Sequence, residues 1–200
     1  MENEIVVKLK QMVKNESGEP ITKVFRDIKT LLNPNNVPDF GEMKQGDRFT
    51  YGGHEWVTLG IVTDGILCIT AKPIGRMQFD EDGRNNWETS SLRRNLNEIF
   101  IRQLDCDDLR LITSKLVADN GDEQYGETVD YIGLPSCGLY RDYRKYIPKY
   151  DDYILTCTPT ACDVVAANHV RCVNPDGVFC VTRPKQLVGV APVCVFAFHG

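Results

Sequence analysis

Cysteines are the most reactive side chains of this 200-residue chain, and there are eight: Cys68, Cys106, Cys137, Cys157, Cys162, Cys172, Cys180 and Cys194. An even count in a secreted miniprotein would announce a disulfide framework, but in a chain this long reduced thiols are the expectation. Most lie among apolar neighbours, as in Ile66-Leu67-Cys68-Ile69 and Pro192-Val193-Cys194-Val195-Phe196, where cysteine serves as a small hydrophobe. No two are spaced Cys-x2-Cys, and His54, His169 and His199 are isolated, so the pattern does not build a zinc site. His169 with Cys172 would make half of one, and an ordinary strand histidine is the plainer reading. Arg141, Arg144, Lys145 and Lys149 interleave with Tyr140, Tyr143, Tyr146 and Tyr150. Tyrosine and arginine are enriched at protein interfaces. A basic-aromatic face also suits single-stranded nucleic acid, and an exposed helix is the third reading. Asp80–Asp82 and the group Asp105, Asp107, Asp108 read as solvated faces and helix-terminal charges. No Ser–His–Asp arrangement, phosphate-binding glycine loop or nucleotide fingerprint occurs. No catalytic residue and no cofactor is therefore expected.

The formal net charge of −5 gives no overall field to attract nucleic-acid phosphates, so general nucleic-acid binding is not expected. Nor is a membrane span, since no apolar run reaches the length a bilayer requires. Met1-Glu2-Asn3-Glu4 is acidic and Ile5-Val6-Val7 stops at Lys8, which does not match a secretory leader. The expected location is the cytoplasm, or a larger particle that carries the chain. The apolar fraction of 42% and charged fraction of 26% are ordinary for a globular domain.

These groups must be positioned by two different textures. Residues 1–33 have helical spacing: Ile5, Leu9, Met12 and Val13 share one face, and Ile21, Val24, Phe25, Ile28, Leu31 and Leu32 form a second stripe. Asn33-Pro34-Asn35-Asn36-Val37-Pro38 ends the run. This predicts a helical hairpin over 1–38, packed on the domain or serving as a homo-oligomerising or partner-docking arm. From Gly46 the pattern becomes β. Paired Gly52-Gly53 predicts a hairpin turn, and Ile66–Ala71 a further strand. Thr89, Ser90 or Ser91 caps a helix carrying Leu92, Leu96, Ile99 and Phe100. Strands are expected over 109–117 and 128–134, a short helix over 136–146, and strands over 153–156, 169–173, 178–182 and 189–198. Asn174-Pro175-Asp176-Gly177 is a turn signal between two of them. Trp87 is expected to seal the sheet against the first of these helices, and Arg93 or Arg94 to tie that helix to a loop carboxylate.

The series Gly52–Leu59, Asn86-Trp87-Glu88-Thr89-Ser90-Ser91-Leu92-Arg93-Arg94-Asn95-Leu96-Asn97, Val129–Ser136, Tyr153–Pro159, Val170–Gly177 and Gly189–Val193 resembles a family of domains from gut bacteria, phages and mobile elements (the DUF6273 type). The family is similar in build to C-type lectins and formylglycine-generating enzymes. The resemblance covers about residues 43–198. Tyr153–Pro159 departs from the Trp-rich segment frequent in the family, and Val190-Ala191-Pro192 lacks its arginine. The likeness implies an α+β, C-type-lectin-like mixed domain of short antiparallel strands with two helices over 43–198, behind the helical segment 1–38. It also implies two chemistries. Cys157 and Cys162 have the separation with which formylglycine-generating enzymes hold copper, although Thr158-Pro159-Thr160-Ala161 intervenes and the proline is expected to break that strand. Asn174-Pro175-Asp176 is similar to the element with which calcium-dependent lectins hold a sugar, with Asp163 or Asp151-Asp152 as further oxygen donors. An ordinary β-turn is the favoured reading of that segment.

The expectation is a non-enzymatic module binding a protein or glycan through loops around 80–88, 118–127 and 157–169 and through the basic-aromatic face. Its candidate contact residues are Asp82, Arg84, Asn86, Tyr140, Tyr143, Arg144, Asn174 and Asp176. A copper- or thiol-dependent oxidase using Cys157 and Cys162, and an assembly protein oligomerising through residues 1–33, are the alternatives.

Overall fold

The computed structural model describes residues 40–104, 106–162 and 169–198; the helical hairpin expected over 1–38 lies outside them. Gly52 and Gly53 both take positive φ, 57° and 77°, a backbone region that a Cβ disfavours. They close the turn between β1 (Arg48–Tyr51) and β2 (His54–Val62). β3 (Gly65–Thr70) runs back along β2, and β13 (Val193–Ala197) lies antiparallel on its other side. β5 (Leu109–Arg110) and β8 (Ile132–Gly133) both pair with β13 and complete the first sheet.

The second sheet has the order β11 (Phe179–Thr182), β10 (Val170–Val173), β9 (Ile154–Pro159), β12 (Val188–Gly189) and β4 (Arg76–Met77). Only its β9–β12 pair is parallel. β6 (Ile112–Lys115) and β7 (Glu127–Asp130) form a separate two-stranded hairpin. The chain is thus a mixed α+β fold of many short strands with two short α-helices among the described residues, α1 (Ser91–Glu98) and α2 (Cys137–Tyr143). None of its helices is long and apolar enough to cross a membrane, among the described residues.

Three expected strands prove to be split. The run 109–117 becomes β5 and β6, and 128–134 becomes β7 and β8. Both breaks fall at outward-facing residues, Leu111 and Tyr131, where the chain leaves the β6–β7 hairpin for the first sheet. The stretch 189–198 divides into β12 and β13 around Pro192, which has no N–H to give to a ladder while its carbonyl accepts from Thr70 N at 3.1 Å. In the other direction, β9 runs on through Cys157 and Thr158 to Pro159. The proline ends that strand without breaking it earlier.

Ser90 caps α1 by accepting from Arg93 N, and Ser136 caps α2 by accepting from Leu139 N. Each satisfies one of the donors a helix start leaves unpaired. Leu92 and Leu96 turn inward with Trp87, which is fully buried against Phe79. Arg93 reaches Asp130 on β7 with two contacts, 2.8 and 3.0 Å, and Trp87 Nε1 donates to the same carboxylate at 3.4 Å. Asn97 accepts from Ile132 N and donates to Ile132 O, so it docks α1 on β8 as a neighbouring strand would.

The core joins Val57, Leu67 and Ile69 of the first sheet to Ile154 and Val173 of the second, with Tyr140 of α2 and Ile147 closing one side. Tyr150 spans the sheets: its buried hydroxyl donates to Thr70 O at 2.7 Å. Phe196 is a second focus, with the rings of Phe40, Phe49, Tyr51 and Trp56 centred 5.1–5.2 Å away. Phe40 stacks on it and the other three meet it edge-to-face, contacts that add to the area each ring buries. Phe196→Ala is expected to cost about 3–5 kcal/mol of unfolding free energy; urea denaturation measures it, and a cost under about 1 kcal/mol would remove Phe196 from the centre of the core.

Candidate functional site

Seven of the eight expected contact residues fall in two places. Asp82, Arg84 and Asn86 lie in the loop after β4, which is built on a buried carboxylate. Asp80 accepts from Arg84 N at 2.9 Å, Arg84 Nε at 3.2 Å and Ser91 N at 3.1 Å, and its side chain is almost completely hidden from solvent. It is not the solvated acid its sequence neighbourhood suggests. Burial by itself would raise the Asp80 pKa, but the donors from Arg84 and Ser91 and the guanidinium charge outweigh it and hold the carboxyl below its ordinary value. Asp108 is a second correction of the same kind, buried and accepting from the Tyr51 hydroxyl at 2.5 Å.

Arg84 also reaches Asp82 at 2.7 Å, and Asn86 Oδ1 accepts from Glu88 N at 2.9 Å. All three expected contact residues of this loop are therefore engaged within it. Their neighbour Asn85, fully buried, ties the three expected binding loops to one another. It donates to Ala161 O at 2.9 Å and His169 O at 3.1 Å, and accepts from the Tyr125 hydroxyl at 2.8 Å. Residues 163–168, within the third loop, lie outside the described residues. Sequence reasoning passed over Asp80 and Asn85. The first had a local signal, three residues before Gly83, where Gly83 N closes a turn on Asp80 O; the second had none.

Four of the other expected residues, Tyr140, Arg144, Asn174 and Asp176, converge. α2 and the segment after it face the turn between β10 and β11 across a cleft of about 180 Å³ lined by Tyr140, Arg144, Lys149, Asn174, Asp176 and Gly177, with Ile154 and Val173 at its base. The turn has the ordinary form: Gly177 N donates to Asn174 O at 2.8 Å, with Gly177 at φ 77°. Asn174 Oδ1 accepts from Val178 N at 2.8 Å, which engages the oxygen that a calcium ion would need. Of the other donors named for that ion, Asp152 faces Arg76 at 3.2 Å, and Asp163 lies outside the described residues.

Gly177 sets how closely the two walls approach. A Cβ there would stand 3.0 Å from a guanidinium nitrogen of Arg144 and 3.4 Å from the Tyr140 hydroxyl. These two groups therefore converge on one point at the cleft mouth. Tyr140 is 93% buried, being 7% exposed, yet neither its hydroxyl nor the Arg144 guanidinium has a hydrogen-bond or ion-pair partner among the described residues. Burial raises the Tyr140 pKa, partly offset by Arg144, so the phenol is a proton donor at neutral pH. Lys149 and Asp176 are likewise without ion-pair partners among the described residues.

Tyr143 does not line the cleft. Its ring covers Gly60, where a Cβ would meet it at 3.1 Å, beside the register shift between β2 and β3. Tyr150, read as part of the basic-aromatic face, belongs to the core. Cys157 and Cys162 make separate contacts. Cys157 is buried in β9 with its thiol pushed up to about 12 by burial, and Cys162 Sγ donates to Asp122 O at 3.6 Å. Among the described residues no three His, Cys, Asp or Glu side chains are grouped to hold a metal ion.

Asp80→Asn is expected to cost about 1.5–3 kcal/mol at neutral pH, the range for hydrogen bonds to a charged group. Because the folded pKa is lowered, this contribution is present above the unfolded carboxyl value of about 3.9 and is lost as pH falls through the folded value. Urea denaturation of both proteins between pH 7 and 3 would show the wild type converging on the variant in acid; parallel curves would exclude Asp80 as the titrating group.

No family model matches this chain, and no curated protein and no solved structure is significantly similar to it.

Proposed function

We propose that this domain is a non-enzymatic recognition module that takes an acidic side chain of a partner protein into the cleft between α2 and the Asn174–Gly177 turn. One observation carries the reading: the phenol of the largely buried Tyr140 and the Arg144 guanidinium point to the same spot, with no partner of their own among the described residues. The hydroxyl is not one of the fully buried polar atoms left without a partner, so it opens to the cleft mouth, where a carboxylate would accept from both groups at once. Charge-assisted hydrogen bonds of this type are short and strong. Lys149 adds a second positive charge on the same wall, and the Asn174 carboxamide offers a donor while its oxygen serves the turn.

The surroundings favour a protein over a glycan. Beyond the cleft, Arg141 lies over the Phe179 ring with 5.9 Å to its centroid, and Tyr140 meets the same ring edge-on at 5.7 Å. Val178 and Val181 stand exposed on either side of it, and β11 is an edge strand. Such a surface, apolar and aromatic with arginine at its border, is typical of residues that dominate protein interfaces. A C-type-lectin-like build, kinship with the DUF6273-type domains and carriage in a phage particle belong to the same proposal. The ordered motifs and the mixed arrangement of short strands with two helices support the first two; carriage in a phage particle follows from the resemblance alone.

Titration of isotopically labelled protein with a glutamate-rich peptide, followed by NMR, tests it. Resonances of residues 140–149 and 173–177 are expected to shift, Arg144→Glu to weaken binding by at least about tenfold, and Tyr140→Phe to weaken it less. Shifts with an acidic oligosaccharide and none with the peptide would replace the protein partner by a glycan. No shift with either would overturn the assignment of this cleft.

A further inference from the structure

Two pairs of cysteines stand directly opposite each other on neighbouring antiparallel strands: Cys68 with Cys194 on β3 and β13, and Cys172 with Cys180 on β10 and β11. Their surroundings differ. Cys68 and Cys194 are fully buried, and Cys68 Sγ donates to Ile66 O at 3.7 Å. Cys172 and Cys180 have their sulfurs 2.9 Å apart, and Cys180, on the edge strand, is partly open to solvent. Non-bonded heavy atoms of comparable size rest at about 3.5–4.0 Å, so these thiols are held inside ordinary contact. Opposed residues of an antiparallel pair have Cα atoms about 4.5–5.5 Å apart, within the span a disulfide bridges.

We propose that Cys172 and Cys180 are an oxidisable dithiol that closes to a cross-strand disulfide on reaction with a low-molecular-weight disulfide such as oxidised glutathione. Cys180, the accessible member, attacks as its thiolate. One glutathione thiol leaves and a mixed disulfide forms at Cys180. Cys172, already in contact, then attacks the Cys180 sulfur and expels the second glutathione thiol. Two protein thiols are oxidised, one glutathione disulfide is reduced to two thiols, and the two protein protons pass to water or to the departing thiolates. Burial and the neighbouring Cys180 thiol raise the Cys172 pKa, so the closing step should quicken as pH rises from 7 to 9. The bond would staple the two arms that carry the Asn174–Gly177 turn, although the inference does not depend on what the cleft binds.

Mass spectrometry of the folded protein after treatment with oxidised glutathione tests this. Trypsin leaves both cysteines on one peptide, residues 172–185, with no third cysteine. That peptide is expected to lose about 2 Da, the two thiol hydrogens, and to resist alkylation until a reductant is added, while Cys68 and Cys194 react only after unfolding. Cys172→Ser should stop at a stable glutathione adduct on Cys180. Any one of three outcomes overturns the proposal: no change in the 172–185 peptide, an adduct on wild-type Cys180 that never resolves, or preferential oxidation of the Cys68–Cys194 pair. The wild-type peptide decides the matter even where a variant fails to fold.

Discussion

A peptide group buried without a hydrogen-bond partner costs free energy comparable to a lost hydrogen bond, and much of this chain's buried backbone lies outside sheet ladders. Aspartate and asparagine side chains take the place of the missing strands. Asp80 accepts the N–H groups of Arg84 and Ser91. Asn85 receives no help from a ladder and instead offers its amide to two carbonyls from a distant loop. Asn97 gives Ile132 both halves of a strand pairing, and Asn174 completes the turn that forms one wall of the cleft. The short carboxylate or carboxamide of these residues reproduces the geometry of a peptide group with one fewer backbone to order.

This solution bears on the polar loops around residues 80–88, whose composition suggests a binding surface. Their charged and amide groups are turned toward one another. Among the described residues, Tyr140 and Arg144 keep unengaged donors where α2 meets the β10–β11 turn, and the main difference between the two places is whether polar atoms have partners inside the chain. Loops held by a rigid scaffold are where function is usually found. Here the helix end and hairpin turn rest on the shared core, and Asn85 joins the three loops to one another.

Features governed by neighbouring residues were legible in the sequence. The Gly52-Gly53 turn, the Ser90 cap and the Asn174–Gly177 turn follow from local geometry, whereas the tie expected from Arg93 or Arg94 to a loop carboxylate is made by Arg93 to Asp130 on strand β7. The sheet switches at Leu111 and Tyr131 were not legible, because the apolar alternation runs on through a point where only the partner strand changes. Asn85 was invisible for a similar reason: its partners Ala161 and His169 lie 76 and 84 residues away. The cleft was legible as two unconnected halves, the basic-aromatic run and the turn, and the fold supplied the connection. The opposition of Cys172 and Cys180 was implicit in the turn, since a strand pair centred between them sets the register.

β13 adds a consequence in time. It is the last strand in chain order among the described elements, yet it sits inside the first sheet, with β3 on one side and β5 and β8 on the other. Its partners all precede Val193–Ala197 in the order of synthesis, so in a nascent chain the inner edge of β3, Gly65–Thr70, has no β13 to pair with until that segment emerges. Closing so long a loop must precede the contacts that reward it, which slows folding, and exposed strand edges are where unfinished chains associate. Docking of β13 is what covers the facing edges of β3, β5 and β8 together, and a chain without it presents those edges to its neighbours.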